Sequence, residues 1–142
     1  MMAVNNLPED LEPHVPLLMG LVFARLRDRL AQDAPALRPS QLRVMEWLPA
    51  EGLTITELAE RTGMTTQGCG QFVRQLAGLG MVEVCPEPQD RRAKRVTVTD
   101  RGRDGLARAQ RVLAACEREW AESVGDERYR VFREVLDQVA RG

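Results

Sequence analysis

Apolar positions in this chain recur every three or four residues near both ends, and the pattern shifts to alternation only in the stretch around residues 81–99. Leu18, Val22, Leu26 and Leu30 share one face of a predicted first helix. Pro16 suits its first turn, and Ala34-Pro35 its end. Ahead of it, Met1 to Pro13 reads as a loose arm with prolines at 8 and 13. A second helix is expected from Pro39-Ser40 to Leu48, closed by Pro49, with Gly52 ending the loop. Thr54 and Glu57 have the spacing of a capping box before Leu58 and Ala59, so a short helix should run to about Arg61 and turn at Gly63. Thr65 caps the next predicted helix, which runs to about Leu79 and stops at Gly80. Met81–Cys85 and Arg95–Thr99 alternate as two strands, with Pro86, Pro88, Gln89 and Asp90 at the tip between them. Thr99 then caps a long helix to about Ser123, striped by Leu106, Ala109, Leu113, Cys116 and Trp120. Gly125-Asp126 breaks it, and a last helix carries Val131, Phe132, Val135, Leu136 and Val139. The expected class is mainly α with one small β-hairpin.

Composition narrows this without changing it. At 142 residues, one core suffices and no domain split is required. Aromatics are 4% of the chain, which favours helices packed by Leu, Val and Ala over an aromatic-rich sheet. The net charge of −1 says nothing for nucleic acid, but its distribution does. Between Asp90 and Arg103 six basic residues face two acidic ones, a local charge of +4. Cys69, Cys85 and Cys116 are scattered and odd in number, so neither a disulfide framework nor a metal site is suggested. His14 is the one histidine, which excludes a His-rich metal site, and no cofactor is expected. Val15 to Ala24 is too short an apolar run to span a membrane, and Glu9, Asp10 and Glu12 precede it where a secretory signal would be basic. A cytoplasmic protein is expected.

Winding Thr65 to Leu79 as a helix puts Cys69, Phe72, Val73, Leu76 and Leu79 on one side. Thr66, Gln67, Gly70, Gln71, Arg74 and Gln75 fall on the other, a face without acidic or large aliphatic residues. Gln can bond adenine edges, Arg guanine edges, and Thr a phosphate or a thymine methyl. Gly68 and Gly70 each weaken a helix interior by roughly 1 kcal/mol relative to Ala. Gly70 on the outer face would let a nucleic-acid backbone approach closely. In the hairpin, Arg92 suits a narrow minor groove, where negative potential concentrates. Arg91, Lys94 and Arg95 suit phosphates. Thr54, Thr56 and Ser40 are weaker candidates for phosphate contacts, since such residues at helix starts are usually caps.

Three places resemble the MarR family of transcriptional regulators: Leu58-Ala59 with Gly63-Met64-Thr65; Val73, Leu76, Leu79, Gly80 and Val82; and Asp90-Arg91-Arg92 with Val96, Val98, Thr99 and Gly102. The last, a wing signature, is the specific one. The resemblance implies a winged helix-turn-helix of about residues 39–99 for double-stranded DNA, flanked by dimerisation helices at about 14–34 and 100–142 in a single domain. It implies a homodimer on an inverted-repeat operator, with Thr65 capping the recognition helix, Asp90 orienting the wing arginine, and repression as the expected outcome. It also implies a small aromatic or anionic effector, for which Met19, Phe23, Arg43, Trp47 and Arg111 are candidates. Taken singly, Met19, Phe23 and Trp47 read more simply as core. The other readings are a cysteine-based redox response and a winged helix used for protein contacts. Catalysis has no support: Gly78 to Gly80 follows a helix and opens a strand, the reverse of a phosphate loop. One histidine also builds no catalytic triad.

Overall fold

The computed structural model describes residues 7–142, so residues 1–6 of the expected arm lie outside the described residues. Among the described residues the helical periods resolve into α1 (Val15–Asp33), α2 (Pro39–Met45), α3 (Ile55–Thr62), α4 (Thr66–Gly78), α5 (Asp100–Val124) and α6 (Asp126–Arg141). Three strands, β1 (Leu53–Thr54), β2 (Val82–Glu87) and β3 (Asp90–Val98), form an antiparallel sheet in the order β1-β3-β2. The fold is mainly α with a β-hairpin wing, as expected. Among the described residues, no helix is long and apolar enough to cross a membrane.

Helix starts follow local chemistry. The hydroxyls of Thr54, Thr65 and Thr99 accept from the backbone N–H of Glu57, Gly68 and Gly102, caps worth about 1 kcal/mol each. His14 Nδ1 does the same for Leu17. The second helix stops at Met45 rather than Leu48. Pro49 disfavours helical backbone at the residue before it, and Glu46–Trp47 form a turn instead.

The core lies where the middle of the chain meets the end of α1 and the start of α5. Leu30, Leu37, Leu42, Val44, Met45, Leu53, Leu58, Cys69, Val73, Leu76, Met81, Val82, Val96 and Ala109 make one buried cluster. Each large side chain there contributes roughly 1.5–3 kcal/mol of burial. Gly102 is part of this junction, because a Cβ on it would stand 2.0 Å from the Met81 carbonyl oxygen. The terminal stripes behave otherwise. Leu30 is 2% exposed, but Leu18 and Val22 on the same face of α1 are exposed. No residue of α6 is buried. Polar bonds hold these helices together. Arg29 makes a two-pronged bond to Glu119 at 2.9 Å, Arg108 Nε donates to the Asp33 carbonyl, and Tyr129 donates to Glu117 at 2.7 Å.

Candidate nucleic-acid interface

α3 and α4 join through Gly63 in the left-handed conformation, φ 71°, which a side chain would strain. α4 is seated by Cys69, Val73 and Leu76, all buried, with Phe72 half-buried. Leu79, expected on this inner side, instead forms the C-cap and is exposed. The opposite side presents Thr65, Thr66, Gln67, Gln71, Arg74 and Gln75 to solvent. Gly70 differs from its expected place on that surface and is buried. Arg74, one turn on, folds back over it, its Nη1 3.5 Å from where a Cβ would be. The arginine therefore stands at ordinary contact distance from the space that the glycine leaves.

Beyond α4 the wing is longer than its alternation shows. β2 and β3 pair from Val82↔Val98 to Glu87↔Asp90, with a register slip between Pro86 and Glu87, so Pro88 and Gln89 alone form the tip. Arg91, Arg92 and Lys94 are exposed strand residues. Neither they nor Arg74 takes part in an ion pair among the described residues. Asp90 Oδ1 accepts from the backbone N–H of Arg92 at 3.0 Å. The carboxylate thus shapes the chain at the tip rather than gripping the Arg92 guanidinium, as had been expected.

Arg95 also departs from expectation. Its Nε donates to Glu87 Oε2 at 2.7 Å, and its Nη1 donates to the carbonyls of Glu51 and Gly52 at 3.3 and 3.1 Å. Glu87 holds the pKa of this guanidinium above its ordinary value. With Nε and Nη1 engaged within the subunit, Arg95 is less available to a phosphate than Arg91, Arg92 and Lys94. Arg103 is likewise engaged, with Asp100 and the Val98 carbonyl. The basic run of the sequence therefore narrows to Arg91, Arg92, Lys94 and Arg101. Glu87, Glu51 and Gly52 escaped sequence reasoning. Their part becomes visible only once the hairpin register brings residue 87 alongside residue 95.

The remaining candidates are spread out. Thr54 serves as the α3 cap, and Thr56 and Ser40 are exposed. Met19, Phe23 and Trp47 are exposed rather than core, and Arg27 lies over the Phe23 ring at 5.7 Å. Arg43 on α2 and Arg111 on α5 are exposed as well. Cys69 and Cys116 are buried, which pushes both thiols up, while Cys85 on β2 is exposed. No cluster of metal-binding side chains occurs among the described residues.

Comparison with known proteins bears on this arrangement. Residues 37–93 match the model of the MarR family. A transcriptional repressor, CouR, solved bound to a 23-mer DNA duplex, is 27% identical over 89% of this chain and 92% of that one, with a TM-score of 0.76. MarR itself is 18% identical over 95% and 94% of the two chains, with a TM-score of 0.80. The PcaV regulator of Streptomyces coelicolor, solved with its natural ligand, is 22% identical over 96% and 98%, with a TM-score of 0.74. The last two likenesses speak for the fold alone. No protein of curated function matches the chain.

Proposed function

We propose that this chain is a winged-helix regulator of the MarR family, and that it binds double-stranded DNA sequence-specifically as a homodimer and represses transcription by covering a promoter. The observation that carries this reading is the outward face of α4: hydroxyls, amides and Arg74, with no acidic residue in the helix, followed in the chain by a wing whose Arg91, Arg92 and Lys94 have no anionic partner among the described residues. Amide and guanidinium groups suit base edges in a major groove, and the wing cations suit phosphates and the adjacent minor groove. The DNA-bound CouR repressor supports the same reading, since its likeness spans most of both chains.

The dimer rests on a different observation. The N-terminal half of α1 leaves Val15, Leu18, Met19, Val22 and Phe23 uncovered, and α6 leaves Val131, Phe132, Val135, Leu136 and Val139 uncovered. Apolar stripes of this size on two helices call for a partner surface, and a second copy provides an equal one. Twofold symmetry then implies an operator with half-sites about one helical turn, ~34–36 Å, apart. For an effector of aromatic or anionic chemistry the candidates stay the exposed apolar Met19, Phe23 and Trp47 and the exposed cations Arg43 and Arg111.

A redox response through cysteine has weaker support, because burial of Cys69 and Cys116 disfavours the reactive thiolate. The test of the main reading is a titration of the protein with duplexes from its own upstream region at two salt concentrations. Specific binding that weakens steeply with salt is expected. A failure to bind any promoter-like duplex would favour a winged helix that contacts proteins.

A further inference from the structure

The three-stranded part of the sheet is very shallow. β1 pairs with β3 only at Leu53↔Val96 and Thr54↔Arg95. Toward the tip, β3 is paired with β2 alone, at Lys94↔Pro86 and Asp90↔Glu87, and residues 91–93 between them have no register partner. An isolated two-stranded ribbon is marginal in water and twists strongly. Arg91, Arg92 and Lys94 all stand on this unsupported part. The ladder is weakened further by the slip between Pro86 and Glu87 and by Pro86, which has no N–H to donate.

Arg95 sits at the root of that ribbon. It is the last β3 residue toward the tip with partners on both edges, Thr54 and Cys85. Its Nε reaches past the slip to Glu87, and its Nη1 reaches the opposite way to the carbonyls of Glu51 and Gly52. Neither anchor is loose. Gly52 has φ +77°, and a Cβ on it would stand 2.4 Å from the Val96 carbonyl oxygen, so its backbone is pressed against β3. The Glu87 side chain is 17% exposed and that of Arg95 32%, which places the pair outside the fully solvated class that contributes little. A planar guanidinium can serve carboxylate and carbonyls at once in fixed directions, which an ammonium cannot.

We propose that Arg95 is a positioning residue: clamped between Glu87 and the Glu51-Gly52 turn, it sets the direction in which the wing leaves the sheet, and so where Arg91, Arg92 and Lys94 stand relative to α4. This rests on the DNA-binding reading above for its consequence, but not for its geometry. Arg95 acts without touching DNA.

The test uses the full-length protein and two duplexes, one recovered by the wild-type protein from a random-sequence pool and one scrambled, each titrated across a salt series. Hydrogen exchange of the amides in 87–94 is followed without DNA. For Arg95→Gln and Glu87→Gln, exchange should quicken and affinity for the recovered duplex should fall by about tenfold or more. The slope of log affinity against log salt should stay as in wild type. Arg95→Lys keeps the Glu87 pair but loses the fork, and should fall between. Glu87→Gln is the sharpest variant: it removes a negative charge near DNA, so electrostatics alone would tighten binding to both duplexes. Unchanged exchange in both variants overturns the proposal, as does recovered-duplex binding by Glu87→Gln equal to or tighter than wild type. A salt slope reduced by about 0.9 in Arg95→Gln does so too, because that is the mark of a lost phosphate contact. If the wild-type protein enriches no duplex, the DNA-binding reading falls, and the exchange result alone upholds or rejects the clamp.

Discussion

The middle of the molecule and its last helix are built on opposite terms. From Leu37 to Val96 the chain supplies most of the buried cluster, and its helix ends are capped and turned by Thr54, Gly63 and Thr65. α6 has a full apolar stripe and buries none of it, with Val139 at 74% exposure. The same helical period thus has two meanings. In α4 it seats a helix so that its other side is free, and in α6 it leaves the whole stripe uncovered within the subunit. The contrast also separates two uses of apolar surface: the middle buries its own, with help from Leu30 and Ala109, whereas α6 buries none.

The largest effect should come from charging the uncovered stripe. Phe132→Glu with Val135→Glu should dissociate the dimer and weaken operator binding by about a hundredfold or more, since buried apolar anchors at interfaces are worth about 2 kcal/mol or more each. Sedimentation and duplex titration measure this, and the helical signal of the subunit should survive. A variant that still sediments as a dimer would break the comparison. Next, Leu58→Ala in the middle should cost about 2–5 kcal/mol of unfolding free energy by denaturant titration. Val139→Ala should change the subunit by no more than about 0.5 kcal/mol.

Glycines sharpen the same contrast. Gly102→Ala would drive a Cβ against the Met81 carbonyl and the Val98 side chain, and should lower stability by about 1–3 kcal/mol. Gly78→Ala meets nothing within 4 Å and should raise stability by about 0.5–1 kcal/mol. Thermal melts of the two variants should move in opposite directions. On the DNA side, Arg92→Ala should weaken all duplexes alike and flatten the salt slope by about one unit, whereas Gln71→Ala should shift preference at particular base pairs by about 1–3 kcal/mol. Identical profiles for the two would erase the distinction between wing and recognition helix.

The smallest effect is a titration. Tyr129, the one tyrosine of the chain, is pushed up to about 12 by burial first and by its bond to the Glu117 carboxylate second. A raised phenol pKa gives stability that is whole below the unfolded value near 10 and is lost as pH climbs toward 12. Phenolate absorbance should therefore appear late. Melting should fall between pH 10 and 12 in wild type but less in Tyr129→Phe. A midpoint near 10 would show that the α5–α6 bond does not enclose the phenol.

The long helices were legible because ten or more residues repeat one period, and the capping threonines because each precedes its run at fixed spacing. β1 was not, since Leu53–Thr54 is too short to show any alternation. The strands of the wing outran their apolar pattern because β3 is extended by pairing at Lys94 and Asp90, with exposed Arg91 and Arg92 between them and no buried face to mark them. Arg95 shows the limit most clearly. A basic run reads as a row of outward cations, but the slip at Pro86/Glu87 decides which of them finds a carboxylate. Gly70 is a milder case: it was expected on the open face of α4, but it is buried and the Arg74 side chain lies near it.

The central claim is that the free face of α4 and the wing read DNA from a twofold dimer. Sequencing the fragments that the full-length protein retains from a random-sequence pool tests it most directly. The account predicts an inverted repeat whose halves are about one helical turn apart. Fragments with no shared sequence, or a single unrepeated half-site, would contradict it.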